Sequence, residues 1–123
     1  MKVKEIRIII NASCDEIFEF TVEPTNTPKW IEGAGEETID TKQILIGTKY
    51  SNDIGTWEVT DYDKDVFFEL TNKETGYSCS YSYRRIDDNT TELTYFESME
   101  DGSELTEPMK EEHFEKLKIL LEN

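Results

Sequence analysis

One histidine, two cysteines and three prolines are all that this chain of 123 residues holds of those types. His113 with the distant Cys14 and Cys79 makes a poor zinc set, which wants four nitrogen or sulfur ligands at close spacing. The two cysteines fall on apolar faces of an expected helix and an expected strand, and read as free buried thiols rather than a disulfide. Basic residues are also scarce: 13 Lys and Arg face 28 Asp and Glu, a formal charge of −15. That field repels a nucleic acid backbone, and Arg84-Arg85 is too small to be a basic patch. Anionic membrane surfaces are disfavoured for the same reason. The plain reading of the charge is solubility. No apolar run approaches the roughly 18 residues of a membrane span. The opening Met1-Lys2-Val3-Lys4-Glu5-Ile6 lacks the apolar stretch of a secretory leader, so the chain reads as cytoplasmic.

Catalytic signatures are missing too. There is no Gly-x-Ser-x-Gly elbow, and neither cysteine has a base beside it in sequence. Gly33-Ala34-Gly35 lacks the third glycine and the strand–turn–helix setting of a dinucleotide site. Asp61-Tyr62-Asp63-Lys64-Asp65 starts like a calcium loop, but Val66 and Asn72 stand where glycine and glutamate are needed, so it reads as a solvated turn.

What the chain does have is a large aromatic share: six Phe, six Tyr and two Trp. A chain of this length is expected to be one domain over residues 1–123 and to bury roughly two-thirds of its unfolded surface. Residues 2–10 alternate, with Ile6, Ile8 and Ile10 on one face, as a half-buried strand does. Ser13 and Glu16 form a capping box opening a helix whose apolar arc holds Cys14, Ile17, Phe18, Thr21 and Val22. Pro24 ends that helix, and Thr25 to Trp30 fit one more helical turn. Strands are expected at 36–41, 45–53, 56–62, 66–73, 76–86 and 90–99, joined by short turns that favour antiparallel neighbours. A last helix of about sixteen residues, roughly 24 Å long, is expected from near Thr106, with Glu107-Pro108 in its first positions. Its arc would hold Met109, His113, Phe114, Leu117, Leu120 and Leu121.

Alternation puts Tyr77, Tyr81 and Tyr83 on one sheet face with Cys79. Their phenols either line a pocket or reach solvent and backbone from a packed core; the second reading is preferred. Trp30, Trp57 and Phe68 pose the same choice. His113 is either a proton donor or acceptor facing a cavity, or a packed residue, and again packing is preferred. Glu58, Glu69, Glu92 and Glu97 lie in expected strands, with exposed faces as the default.

Taken in order, these features resemble the START-like (SRPBCC) superfamily, including polyketide cyclase/dehydrase-like and birch-pollen-allergen-like proteins. The residues that carry the likeness are Ile10-Asn11-Ala12-Ser13-Cys14-Asp15-Glu16-Ile17-Phe18-Glu19-Phe20, Pro24 to Trp30, Gly47 to Tyr50, Glu58-Val59-Thr60-Asp61-Tyr62 and Tyr81 to Thr94. The resemblance implies an α+β helix-grip fold: a curved antiparallel sheet of six to seven strands around a long C-terminal helix, with one or two short helices after the first strand. It implies a pocket between sheet and helix, here reduced because the chain is short.

The first functional expectation is therefore a binding protein for an apolar, lipid-like or aromatic small molecule. Trp30, Tyr50, Trp57, Phe68, Tyr81, Tyr83, Tyr95, His113 and Leu117 would line its cavity. The alternatives are a protein-interaction module of the heat-shock ATPase activator type with a filled core, and a polyketide cyclase/dehydratase-like enzyme. No catalytic residue, metal or cofactor is assigned, and the balance lies against an enzyme. The expected partner is a hydrophobic small molecule, without nucleic acid or membrane insertion, and a homodimer is left open.

Overall fold

The computed structural model of the chain describes residues 1–31 and 35–122. Strand β1 (Val3–Ile10) leads into helix α1 (Cys14–Val22), a 3-10 turn (Pro24–Asn26) and helix α2 (Thr27–Trp30). Strands β2 (Thr38–Ile39), β3 (Lys49–Ser51), β4 (Thr56–Asp63), β5 (Phe67–Asn72), β6 (Tyr77–Asp87) and β7 (Thr90–Met99) follow, and helix α3 (Glu111–Glu122) closes the chain. The strands form one seven-stranded sheet in the order β1-β7-β6-β5-β4-β3-β2. Every neighbouring pair is antiparallel. The sheet is curved and the architecture is α+β, a helix-grip fold.

The topology has a physical consequence. β1 and β2 occupy opposite edges, so the chain between them must cross the sheet. It does so through α1 and α2, which bury Ile17, Phe18, Thr21, Val22 and Trp30. The capping box forms as the sequence predicts. The Ser13 side chain accepts from the Glu16 amide, and the Glu16 carboxylate reaches back to the Ser13 amide. Cys14, expected on the buried arc, is half-exposed at the first helical position. α1 ends at Glu23, whose extended backbone (ψ 116°) is what a residue before proline adopts.

Three expectations are corrected. The last helix spans 12 residues from Glu111, so it is about 18 Å long rather than 24 Å. The reason lies at Glu107, whose φ of 52° is left-handed, and at Met109, whose amide is taken by the Glu97 carboxylate. Residues 106–110 therefore form an irregular approach instead of a first helical turn. Leu120, expected on the buried arc, is 39% exposed. The strands expected at 36–41 and 45–53 shrink to two and three residues. Between them the backbone is folded on itself, with Leu45 N–H donating to Thr48 Oγ1 and Gly47 N–H to the Val59 carbonyl. The loop expected at Gly33-Ala34-Gly35 lies, except for Gly35, outside the described residues.

Replacing Ser13 removes an acceptor from an otherwise orphaned helical amide. Ser13→Ala is expected to lower stability by about 1 kcal/mol in a chemical denaturation series. An unchanged midpoint would mean that the cap contributes nothing.

Candidate functional site

On the concave side, period-2 alternation delivers Phe68 from β5, Tyr81 and Tyr83 from β6, and Leu93, Tyr95 and Glu97 from β7 to one face. Each helix adds a ring or an aliphatic group from above. Phe18 of α1 meets Tyr83 at a centroid distance of 5.2 Å and Tyr62 at 5.5 Å. Trp30 of α2 meets Tyr81 at 6.4 Å and Phe114 of α3 at 5.2 Å. Tyr95 lies 5.1 Å from Tyr81 and 4.9 Å from Phe114, and Phe68 lies 5.9 Å from Tyr50. The rings make a continuous run of contacts from α1 to α3 between the sheet and the helices.

Seven of the nine residues expected to line a cavity meet there: Trp30, Tyr50, Phe68, Tyr81, Tyr83, Tyr95 and Leu117 are all buried. Two lie elsewhere. Trp57 is half-buried near the start of β4, its ring beside Gly55 and outside the core cluster. His113 sits on the flank of α3, where Nδ1 accepts from the Lys110 amide at 3.1 Å and so caps the first turn. It borders a shallow depression of about 180 Å³ shared with Trp30, Lys110, Glu112 and Lys116. A larger open depression, about 520 Å³, lies on the outer face of the sheet among Thr71, Lys73, Ser78, Ser98 and Glu100.

Four of the interior phenols, those of Tyr50, Tyr77, Tyr83 and Tyr95, find hydrogen-bond partners. Tyr83 OH and Thr21 Oγ1 are 2.5 Å apart, and Tyr50 OH donates to the Val22 carbonyl. The third partner is one that the sequence reading missed. Glu97, expected on an exposed strand face, is 1% exposed. Its Oε2 accepts from Tyr95 OH at 2.8 Å and from Tyr77 OH, and its Oε1 accepts from the Met109 amide at 2.7 Å. Its register partner on β6 is Cys79. A signal for it did exist, because Thr91, Leu93, Tyr95 and Glu97 share one face by simple alternation.

Burial dominates the electrostatics of this interior. It pushes Tyr77, Tyr81 and Tyr95 far above their ordinary value of 10, with Cys79 the next contributor. It pushes Tyr50 up, helped by nearby Glu37, and Tyr83 up against the opposing bond from Thr21. The Cys79 thiol is driven up to about 12 by burial and then by the Glu97 charge. At the rim, Glu37 accepts from Thr27 Oγ1 at 2.7 Å and Asn52 Nδ2 at 3.2 Å, yet burial still raises its carboxyl. Burial thus favours the neutral form of these phenols and of the thiol. Among the described residues no group of three His, Cys, Asp or Glu side chains converges to hold a metal. Nor is any described helix long and apolar enough to cross a membrane.

Residues 1–111 match the family described as a domain of unknown function, DUF3284. The chain belongs to that family. No curated protein matches it. Among solved structures, this DUF3284 chain is similar to a conserved protein of unknown function, EF2215, from Enterococcus faecalis. Identity is 17% over 98% of this chain and 71% of that one, with a TM-score of 0.73. It is similar to the Aha1 dimer from Colwellia psychrerythraea at 18% identity, over 99% and 97% of the two chains, with a TM-score of 0.70. An HSP90 activator from Plasmodium falciparum matches at 14% identity over 80% and 73%, with a TM-score of 0.64. At these identities the likeness shows the fold.

Two outcomes follow for the DUF3284 chain. Because Tyr77 and the four buried tyrosines hold their protons more tightly in the folded than in the unfolded state, their stabilisation is complete below pH 10. It drains away as the pH rises above that value. Their phenolate absorbance should therefore appear together with the loss of far-ultraviolet circular dichroism; ordinary titration of all tyrosines in an intact fold would contradict this. A thiol reagent under mildly alkaline, native conditions should label Cys14 and spare Cys79 until the chain unfolds. Equal labelling rates would show that Cys79 is accessible.

Proposed function

We propose that this chain is a protein-interaction module of the helix-grip fold, read as one domain over residues 1–123, that recognises its partner with its surface. The observation that carries this reading is the unbroken contact of rings between α1 and α3, which leaves the sheet–helix space to side chains. The formal charge of −15 gives the surface its character and favours a basic partner, with association that weakens as salt rises. The similarity to an HSP90 activator and to an Aha1 dimer supports an Hsp90-type chaperone as the partner to test. The order of sequence motifs and the shared fold support placing the chain in the wider START-like (SRPBCC) superfamily.

The apolar-ligand reading shares the same fold. In it, Trp30, Tyr50, Phe68, Tyr81, Tyr83, Tyr95 and Leu117 would line the site once the rings had separated. The two readings part in one experiment. A ligand at a hundred times its Kd stabilises a fold by about 2.7 kcal/mol, which raises Tm by on the order of 10 °C for a domain of this size. The expected outcome is no such shift with fatty acids, sterols or aromatic polyketides, together with salt-sensitive binding of the chain to an Hsp90 chaperone in calorimetry. A large Tm rise with a stoichiometric apolar ligand, and no chaperone binding, would overturn the proposal.

A further inference from the structure

The two edges of the sheet are built differently. β2, at one edge, has two residues; β1, at the other, has eight, without proline and in unbroken register with β7. Short strands, prolines, bulges and inward-facing charges are how proteins blunt an edge. Of these guards β1 carries only Lys4, on the concave side in register with Glu97. In an antiparallel ladder, successive residues turn their N–H and C=O to opposite sides of the strand. The Met1 and Ile9 carbonyls and the Asn11 amide go to Leu105, Lys118 and Glu122, none of them in β7. Odd-numbered residues of β1 therefore point their backbone groups away from the sheet. Between those anchors, the outward amides and carbonyls of Val3, Glu5 and Arg7 meet no hydrogen-bond partner among the described residues.

The side chains of these residues stand on the outer face. Val3 and Ile9 are 53% and 50% exposed, and Glu5 and Arg7 between them are exposed as well. Along the strand this face reads apolar, acidic, basic, apolar, an order that is its own complement when reversed. We propose that β1 is a homodimer interface, pairing antiparallel with β1 of a second copy about a two-fold axis at Ile6. Each Glu5 then lies opposite Arg7 of the second copy, and each Val3 opposite Ile9 of the second copy. Glu5 and Arg7 exchange backbone bonds through the groups left free. Lys118 uses one lone pair of the Ile9 carbonyl, and the other is open to the facing Val3 amide. The adjacent registers that keep the same faces set Glu5 against Glu5 or Arg7 against Arg7, and like charges directly opposite destabilise a sheet. In the chosen register two seven-stranded sheets become one continuous sheet, and both concave aromatic layers are left as they are. This goes beyond the chaperone reading, and either can stand without the other.

Sedimentation equilibrium of the full chain tests the interface, in about 0.3 M salt so that the repulsion between two copies is screened within roughly 6 Å. The expected result is a reversible monomer–dimer equilibrium with a Kd on the order of 10 to 100 μM, as suits a small interface. Arg7→Glu alone, or Glu5→Arg alone, should raise that Kd by about tenfold or more, because each sets like charges opposite one another. The double variant carrying both changes restores opposite charges in the same register, and its Kd should return to within about threefold of the original. Both side chains are exposed, so all three variants should keep the unaltered melting temperature. In the unaltered protein, hydrogen exchange at the Val3, Glu5 and Arg7 amides should slow by about fivefold from micromolar to millimolar concentration. The Lys4, Ile6 and Ile8 amides, which face β7, should not change. A chain that stays monomeric at millimolar concentration would overturn the proposal. So would a dimer indifferent to Arg7→Glu, a double variant that fails to recover association, or Glu5 and Arg7 amides whose exchange ignores concentration.

Discussion

Covering the hollow of a seven-stranded curved sheet with very little helix is the constraint on which everything else depends. Three helices of 9, 4 and 12 residues are available for the task. Ile17, Val22 and Leu117 contribute the aliphatic part of the cover. The chain meets the shortage with rings, which bury 150–250 Å² each. Phe18, Trp30 and Phe114 descend from the three helices, and Tyr50, Phe68, Tyr81, Tyr83 and Tyr95 rise from the strands. Most of their contacts are edge-to-face, the arrangement that the ring quadrupole favours.

Choosing tyrosine for this role creates a second problem, because each buried hydroxyl needs a partner. The solutions differ with position. At the α1 end a threonine and a backbone carbonyl accept or share the bond. At the opposite end of the sheet a carboxylate does so, and its remaining oxygen is satisfied by the Met109 amide. An ionised carboxylate is tolerated in an interior only when its lone pairs are filled in this way. Glu97 thus ties the sheet's need for satisfied phenols to the position of the last helix. The left-handed backbone at Glu107 and the delayed start of α3 belong to the same arrangement.

Much of the fold was legible. The Ser13–Glu16 box, the alternation in β6 and β7 and the short polar turns are local signals, and local signals survive folding. The position of Pro108 misled for a physical reason. Proline suits a first helical turn, but Glu107 before it takes a left-handed φ of 52°, from which a right-handed helix cannot start. His113 lay on the predicted apolar arc through its spacing from Met109 and Leu117; with the helix starting at Glu111 it stands in the first turn, where its ring nitrogen accepts from the Lys110 amide. Glu97 was missed because a carboxylate in a strand is ordinarily solvated. Its alternation with Tyr95 on β7 was readable, but the contacts from Tyr77 on β6 and from Met109 beyond the sheet were not. Trp57 shares the face of Tyr50 by register, yet lies too near the end of β4 to be covered.

The outer face of the sheet follows a different logic. There, Thr60, Thr71 and Ser78 form a chain of hydroxyl contacts, each 2.9 Å, across β4, β5 and β6. Glu69 accepts from Thr60 at 2.7 Å, and Glu58 pairs with Lys73 at 2.9 Å. Small hydroxyls line this side, with Glu58 and Glu69 beside them. Among the described residues Glu97 is the one acid in the buried set, so the chain's negative charge resides on its surface. Like charges at that density repel one another and oppose compactness. The cost is borne by an interior that can concede little, since its rings are already in contact. A basic surface or added salt relieves the repulsion without disturbing a single core contact. The outside of this molecule can therefore respond to its surroundings while the aromatic layer keeps its arrangement.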